Sequence, residues 1–445
     1  MNCCLKTTFR SRSPERTSSH AQSKCYPSVP IKDSNPSIEW VKVRTVQSKR
    51  YNILYLDSGS GIGGGQRSLL LLLKHLDATR FRSFVGCLGD SMLAAAARKE
   101  GHPVIPLDLP KQHDKGDKTR RFTFDDITRD LRQVKVILQL LGVLQEKQID
   151  LIHANSLAAG LIGGVAAKLY GVPIVMHKRY ATAYGVLDRL CEALLDRVIL
   201  VSEATRWTFA PHSKQALIYN GVELSKLEPS SQVERQRNPA CPDEIGDPIG
   251  VETLRADLNL DPNAVLVGIV TRITPEKGIH TLIEATAKLK ASPAVQLLVV
   301  GGPYFPKDAE YINSLKVQAK KLGIADRVIF TGFLEDTEAI LSFLDVVLLA
   351  STIPEACPRT IIEAMAAGVP VIATPLGGSK ELVTPETGIL VPAEDPDAFA
   401  EAITQLAEDA ERRKQMGKAC RLRAEQLFCA TQNARLTEDL YLDLL

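Results

Sequence analysis

A chain of 445 residues is too long for one ordinary hydrophobic core and predicts two or three domains. With 45% hydrophobic and 24% charged residues it has the make-up of a globular protein, and a formal net charge of +2 excludes a global nucleic-acid footprint. Nine cysteines without a C-x-x-C pair or zinc spacing read as reduced thiols in a reducing compartment, and no run approaches the roughly 20 apolar residues of a membrane span.

Residues 1–48 are rich in Ser, Pro, Lys and Arg and poor in acids and large aliphatics, the composition of a disordered tail. They lack the apolar stretch of a secretory signal but have some transit-peptide character. From Tyr51 short apolar runs alternate with helical patterns, the mark of βαβ units and a parallel sheet. Strands are predicted at 51–56, 83–88, 103–107, 151–154, 173–177, 197–201 and 216–219, forming a first domain over 49–222. After the first strand comes the run from Asp57 to Gly65, then a helix. Its glycines, Gly64 and Gly65 included, allow close backbone approach, and the helix start attracts an anion. A flexible turn explains the run equally well, because it matches neither a phosphate-binding loop nor the spaced dinucleotide fingerprint. The segment 111–126 is charged and without periodicity, a long loop where function can sit.

Residues 223–255 are polar and Pro-rich, a linker with an inserted loop. A second series follows over 256–430, with strands predicted at 264–271, 296–301, 328–331, 346–350, 369–373 and 388–391. The chain from Pro396 is helical almost throughout, and 431–445 is expected to pack back towards the first domain. Two doubly wound domains facing one another leave a cleft at the carboxyl ends of both sheets, where open α/β folds bind ligands.

The second domain carries the charged chemistry. Its first strand runs into Arg272-Ile273-Thr274-Pro275-Glu276-Lys277-Gly278, where a planar fork and a point charge five residues apart can converge on one diphosphate. Glu355 and Glu363 lie eight apart. The first belongs in a loop with Ala356 and Cys357, the second in a helix opened by Pro358 and stopped by Gly368. Carboxylates so placed can accept bonds from sugar or ribose hydroxyls, although Glu363 also reads as a helix-surface charge and Glu355 as a cap.

These segments together resemble the retaining glycosyltransferases of family 4, with the GT-B fold, over nearly all of 51–445. Glu355 and Glu363 match the family's E-x7-E pair, continued by Ala364-Met365-Ala366-Ala367-Gly368-Val369-Pro370. Arg272 and Lys277-Gly278 match its diphosphate pair, Asn220-Gly221-Val222 the end of its first domain, and Gly377-Gly378 with Glu381 its G-G-x-x-E segment. The resemblance implies an α/β GT-B fold of two Rossmann-like domains and transfer of a sugar from a nucleotide diphosphate donor with retention of configuration. It implies Arg272 and Lys277 on the diphosphate, Glu363 on ribose, Glu355 on the transferred sugar, and Ala356, Cys357 and Pro358 along the donor. His177, at a strand end, matches the family's first-domain histidine beside the sugar, and a satisfied structural histidine is as good a reading; His153 is a weaker candidate. The run Ala356-Cys357-Pro358-Arg359 departs from the family's Gly-Phe-Gly-like sequence, so sugar preference does not carry over.

No cofactor beyond the nucleotide-sugar co-substrate is expected. Asp395-Pro396-Asp397, the one D-x-D, reads as a helix cap, so transfer is expected to need no metal. The acceptor is expected to be a saccharide, a lipid-linked saccharide or a small molecule, with no nucleic-acid partner. The location is expected to be cytoplasmic; Lys111, Lys115, Lys118, Arg120 and Arg121 offer peripheral membrane contact as an alternative, but Asp114, Asp117, Asp125 and Asp126 offset much of their charge and a solvated mixed-charge loop is the stronger reading. Rival readings are a nucleotide-sugar epimerase or hydrolase of the same fold and a non-catalytic sugar-binding protein. A nicotinamide dehydrogenase is disfavoured by the missing fingerprint.

Overall fold

The computed structural model describes residues 49–59, 61–109, 124–227, 258, 260–290, 294–303, 306–334 and 337–445. Seven strands, β1 (Tyr51–Leu56), β2 (Phe81–Cys87), β3 (Val104–Pro106), β4 (Leu151–Ala154), β5 (Ile174–Lys178), β6 (Arg197–Leu200) and β7 (Gln215–Leu217), form one sheet in the order β3-β2-β1-β4-β5-β6-β7. Six more, β8 (Val265–Val270), β9 (Val295–Val300), β10 (Val328–Gly332), β11 (Val346–Leu349), β12 (Val371–Ala373) and β13 (Gly388–Leu390), form a second in the order β10-β9-β8-β11-β12-β13. Every pairing between these strands is parallel. Parallel strands are covered on both faces, and their sequences show it: all six residues of β8, Val-Leu-Val-Gly-Ile-Val, are buried.

The order reverses beside β1 in the first sheet and beside β8 in the second, so each sheet has a crevice at the carboxyl ends of its central strands. Both sheets lie within one compact unit, Ser48–Leu445. Between them the chain crosses twice, and the crossings lie side by side: the Val222 N–H donates to the Phe428 carbonyl at 2.7 Å, and the Ala430 N–H to the Val222 carbonyl at 3.1 Å. The second crossing leads into the helix Ala430–Leu442, whose Ala434, Leu440 and Tyr441 join the apolar layer under the first sheet with Ile53, Tyr55 and Leu69. The charged loop expected at 111–126 lies, as far as residue 123, outside the described residues, and the helix Phe124–Glu146 begins inside its predicted end.

Candidate active site

The second domain builds its wall from three loops at the carboxyl edge of its sheet. Arg272 stands exposed two residues beyond β8, and a 3-10 turn, Pro275–Lys277, carries Lys277 back over the edge. Its Nζ lies 2.8 Å from Glu355 Oε1, and the Ser351 hydroxyl donates to the same oxygen. Neither side chain is deeply sealed, with 12% of Lys277 and 21% of Glu355 exposed, so a ligand can exchange into the pair. Glu355 is held through its backbone. Its residue pairs in parallel with Gly377, and its carbonyl accepts the Gly378 N–H at 2.8 Å. Gly377 sits at φ +62°, with room for no side chain: a Cβ there would come within 2.1 Å of the Glu355 carbonyl oxygen.

Pro358 caps the helix Arg359–Ala366, as a fixed φ before a helix start favours, and Thr360 Oγ1 ties that helix to the end of β8 by donating to the Val270 carbonyl at 2.8 Å. Glu363, one turn in, is 9% exposed. Its Oε1 accepts from Arg359 Nε at 2.9 Å and pairs with the terminal guanidinium nitrogen at 2.8 Å. The same Arg359 reaches the first domain, donating to Ser68 Oγ at 3.0 Å and the Gly221 carbonyl at 3.2 Å. Ala356 is half-buried and Cys357 buried. Burial pushes the Cys357 thiol up to about 11, so it is a neutral packing group, and its carbonyl accepts from Asn220 Nδ2 at 3.4 Å.

On the first domain, Gly64 and Gly65 open the helix Gly64–His75, Gly64 exposed and Gly65 half-buried. Beneath them Asp57, fully buried, accepts from the Gly59 N–H at 2.7 Å, Gln66 Nε2 at 3.0 Å and Asn155 Nδ2 at 2.6 Å. His177 is 4% exposed and bonded inward: its Nδ1 is 2.7 Å from Nε2 of the fully buried His153, whose Nδ1 meets the Tyr441 hydroxyl. Tyr441 donates onward to the Tyr55 hydroxyl at 3.2 Å, so its oxygen is the acceptor for His153 Nδ1–H. His153 Nε2 then accepts from His177 Nδ1–H. Burial drives both imidazoles towards neutrality, His153 to about 3 and His177 well below the ordinary value.

Arg272, Lys277, Glu355, Ala356, Cys357, Pro358 and Glu363 thus share the edge formed by the ends of β8 and β11 and the helix after them, and Gly64 and Gly65 lie across from Arg359. Cations and a carboxylate within reach of one another can hold a diphosphate and hydroxyls. Glu381 is engaged elsewhere, accepting the Glu203 N–H of the first domain at 2.9 Å. Asp395 accepts the Ala398 N–H at 2.9 Å as a helix cap, and no group of ligating side chains that could hold a metal occurs among the described residues. Asp57, Asn155, Arg179 and Tyr441 escape the sequence reading. Only Arg179 had a local signal, its place just beyond the end of the strand that carries His177.

Residues 62–226 match the family described as Glycosyltransferase Family 4, and residues 250–423 that described as Glycosyl transferases group 1. The YtcC protein of Bacillus subtilis, named as a glycosyltransferase, is 31% identical over 83% of this chain and 85% of its own. The UDP-Gal:alpha-D-GlcNAc-diphosphoundecaprenol alpha-1,3-galactosyltransferase of Escherichia coli is 25% identical over 74% of this chain and 85% of its own. The crystal structure of Anabaena HepE in complex with UDP superposes with a TM-score of 0.74 at 25% identity, covering 88% of this chain and all of HepE. With two facing Rossmann-like domains of the GT-B type and the E-x7-E pair beside a basic turn, the chain belongs to the group 1 glycosyltransferases of family 4 and is a nucleotide-sugar glycosyltransferase.

Proposed function

We propose that the protein transfers its sugar with retention of configuration and without a metal, Arg272 and Lys277 neutralising the departing diphosphate in place of a divalent cation. The observation that carries this reading is the Lys277 to Glu355 contact of 2.8 Å, in the turn that Arg272 opens, which puts a cation and a carboxylate beyond the end of the strand where a donor's phosphate and sugar would meet. Glu363 takes the ribose hydroxyls through the oxygen that Arg359 leaves open. Glu355, released from Lys277 when the diphosphate arrives, turns to the sugar hydroxyls. The neutral His177 and the Gly64 and Gly65 backbone line the first-domain side. With Glu355 given to the sugar hydroxyls and its carboxylate still bonded by the Ser351 hydroxyl, return from the front face through an oxocarbenium-like state fits better than a covalent Glu355 nucleophile does.

UDP is the first nucleotide to test, since HepE binds it and the Escherichia coli relative is named for a UDP-sugar. The acceptor is a saccharide or a lipid-linked saccharide held on the first domain, at the cytoplasmic side of a membrane. Peripheral contact belongs to this reading. The helix Val186–Leu194 exposes 71% of Val186 and 53% of Leu190, and no helix among the described residues is long and apolar enough to cross a membrane. Screening UDP-, GDP- and ADP-sugars for thermal stabilisation tests the donor, because a ligand at a hundred times its dissociation constant adds about 2.7 kcal/mol. Product anomers resolved by NMR test retention, and a product of inverted configuration overturns it.

A further inference from the structure

Arg179 stands just beyond the end of β5, two positions after His177. They behave oppositely. His177 is buried and spends its Nδ1 on His153, whereas Arg179 is half-buried and reaches the junction between the domains. Its guanidinium is framed by two neutral amides: Nε donates to Asn155 Oδ1 at 2.6 Å, and a terminal nitrogen donates to Asn220 Oδ1 at 2.5 Å. Asn155 is itself fixed by buried Asp57, whose negative charge also acts on the guanidinium from beyond hydrogen-bonding contact. The fork is therefore oriented without a carboxylate in direct contact to cancel its charge.

The position of that charge is set by two glycines. A side-chain carbon added at Gly65 would lie 3.2 Å from Arg179 Cδ, and one added at Gly64 would lie 3.4 Å from Arg359 Cδ. The two arginine stems thus flank the same helix start, one from each domain. Arg359 is paired with Glu363, while no ion pair is formed by Arg179 among the described residues. A pre-oriented, half-buried guanidinium that meets two amides but touches no carboxylate, beside the second domain's Arg359, is set to receive an anion from outside the chain.

We propose that Arg179 is a first-domain contact residue for the diphosphate of the bound nucleotide, closing from the opposite side the set of cations that Arg272 and Lys277 begin. The proposal rests on the nucleotide-sugar reading above, and it gives the ligand a direct part in drawing the two domains together.

Calorimetric titration of UDP, GDP and ADP, each alongside its nucleoside, against the full-length protein and two variants tests it. Arg179→Gln removes the charge, and Asn220→Asp keeps the arginine but supplies a carboxylate to neutralise it. For whichever diphosphate binds the wild type most tightly, both variants are expected to bind about ten- to a hundredfold more weakly. The matching nucleoside is expected to bind all three proteins alike. Unchanged diphosphate affinity in either folded variant overturns the proposal, and so does an equal loss for the nucleoside, which marks a structural role. Arg179→Lys, keeping charge without the fork, replaces Arg179→Gln should the latter fail to melt cooperatively, with an intermediate loss expected and no loss counting against the fork. A wild type that binds none of the three diphosphates sinks the nucleotide reading and the proposal with it, whatever the variants do.

Discussion

The two walls of the junction solve the problem of polar groups near a ligand in opposite ways. The second domain keeps its charges paired with one another near the surface, Lys277 with Glu355 and Arg359 with Glu363, so that an arriving diphosphate or hydroxyl can take over one partner's bonds. Around His177 the first domain instead buries neutral polar groups, linking His177, His153, Tyr441 and Tyr55 into one hydrogen-bonded chain. Exchangeable ion pairs suit a site that must bind and release a charged donor. A buried neutral chain suits a rigid surface, because unsatisfied members would each cost a few kcal/mol and any movement breaks more than one bond.

That contrast can be broken most decisively at Lys277. Lys277→Ala is expected to cost about a hundred- to a thousandfold in transfer rate, the range for removing a charge aimed at a departing group, with little change in melting temperature. Wild-type turnover in the variant would place the diphosphate elsewhere.

The next largest effect is on acid stability and concerns the histidines. Folding holds the pKa of His153 at about 3 and that of His177 well below its ordinary value of 6.5. Above that value neither the folded nor the unfolded chain binds protons there, and the pair has no effect on the pH dependence. As the pH falls below it, the unfolded chain takes up protons that the folded one refuses. Stability is therefore lost by about 1.4 kcal/mol per pH unit for each histidine. Denaturant midpoints measured from neutral pH down to about pH 5 should fall accordingly, and imidazole NMR signals should stay neutral throughout. Signals that titrate near their ordinary value would remove the buried-chain description.

A smaller loss is expected from Tyr441→Phe, which deprives His153 Nδ1 and the Tyr55 hydroxyl of a partner. The expected cost is about 1 to 3 kcal/mol, read from the shift of a urea midpoint. A shift indistinguishable from zero would mean that Tyr441 contributes packing alone. Smallest of all is the effect of chelation. If the second domain's cations neutralise the diphosphate, EDTA should leave the rate unchanged, and a rate abolished by EDTA and restored by Mg²⁺ or Mn²⁺ would show that those cations do not suffice.

Much of this was legible along the chain because it is local. The alternation of apolar runs and amphipathic stretches marked every strand of both sheets to within a few residues. The helix Arg359–Ala366 was visible from Pro358 and Gly368, since a fixed φ and a left-handed stop act on their immediate neighbours. What stayed hidden is pairing between distant residues. Arg359 looked like a departure from a family pattern. In the fold it fixes Glu363 and grips Ser68 and the Gly221 carbonyl at once.

The sequence by itself determined two parallel α/β domains and a basic turn and a carboxylate pair at strand ends, because periodicity, caps and turns are read over a few residues at a time. Tertiary structure alone decided what the side chains at those ends would do. His177 and Arg179 are two positions apart at the end of one strand, yet the first is drawn inward by His153, itself bonded to Tyr441 on the returning helix, and the second is turned to the junction by Asn155 and Asn220. Those partners lie on strands and crossings remote in sequence. Burial works against charge on both; it suffices to keep the imidazole neutral, whereas the guanidinium starts too far above neutral pH to lose its proton, and burial is a property of the assembled layers.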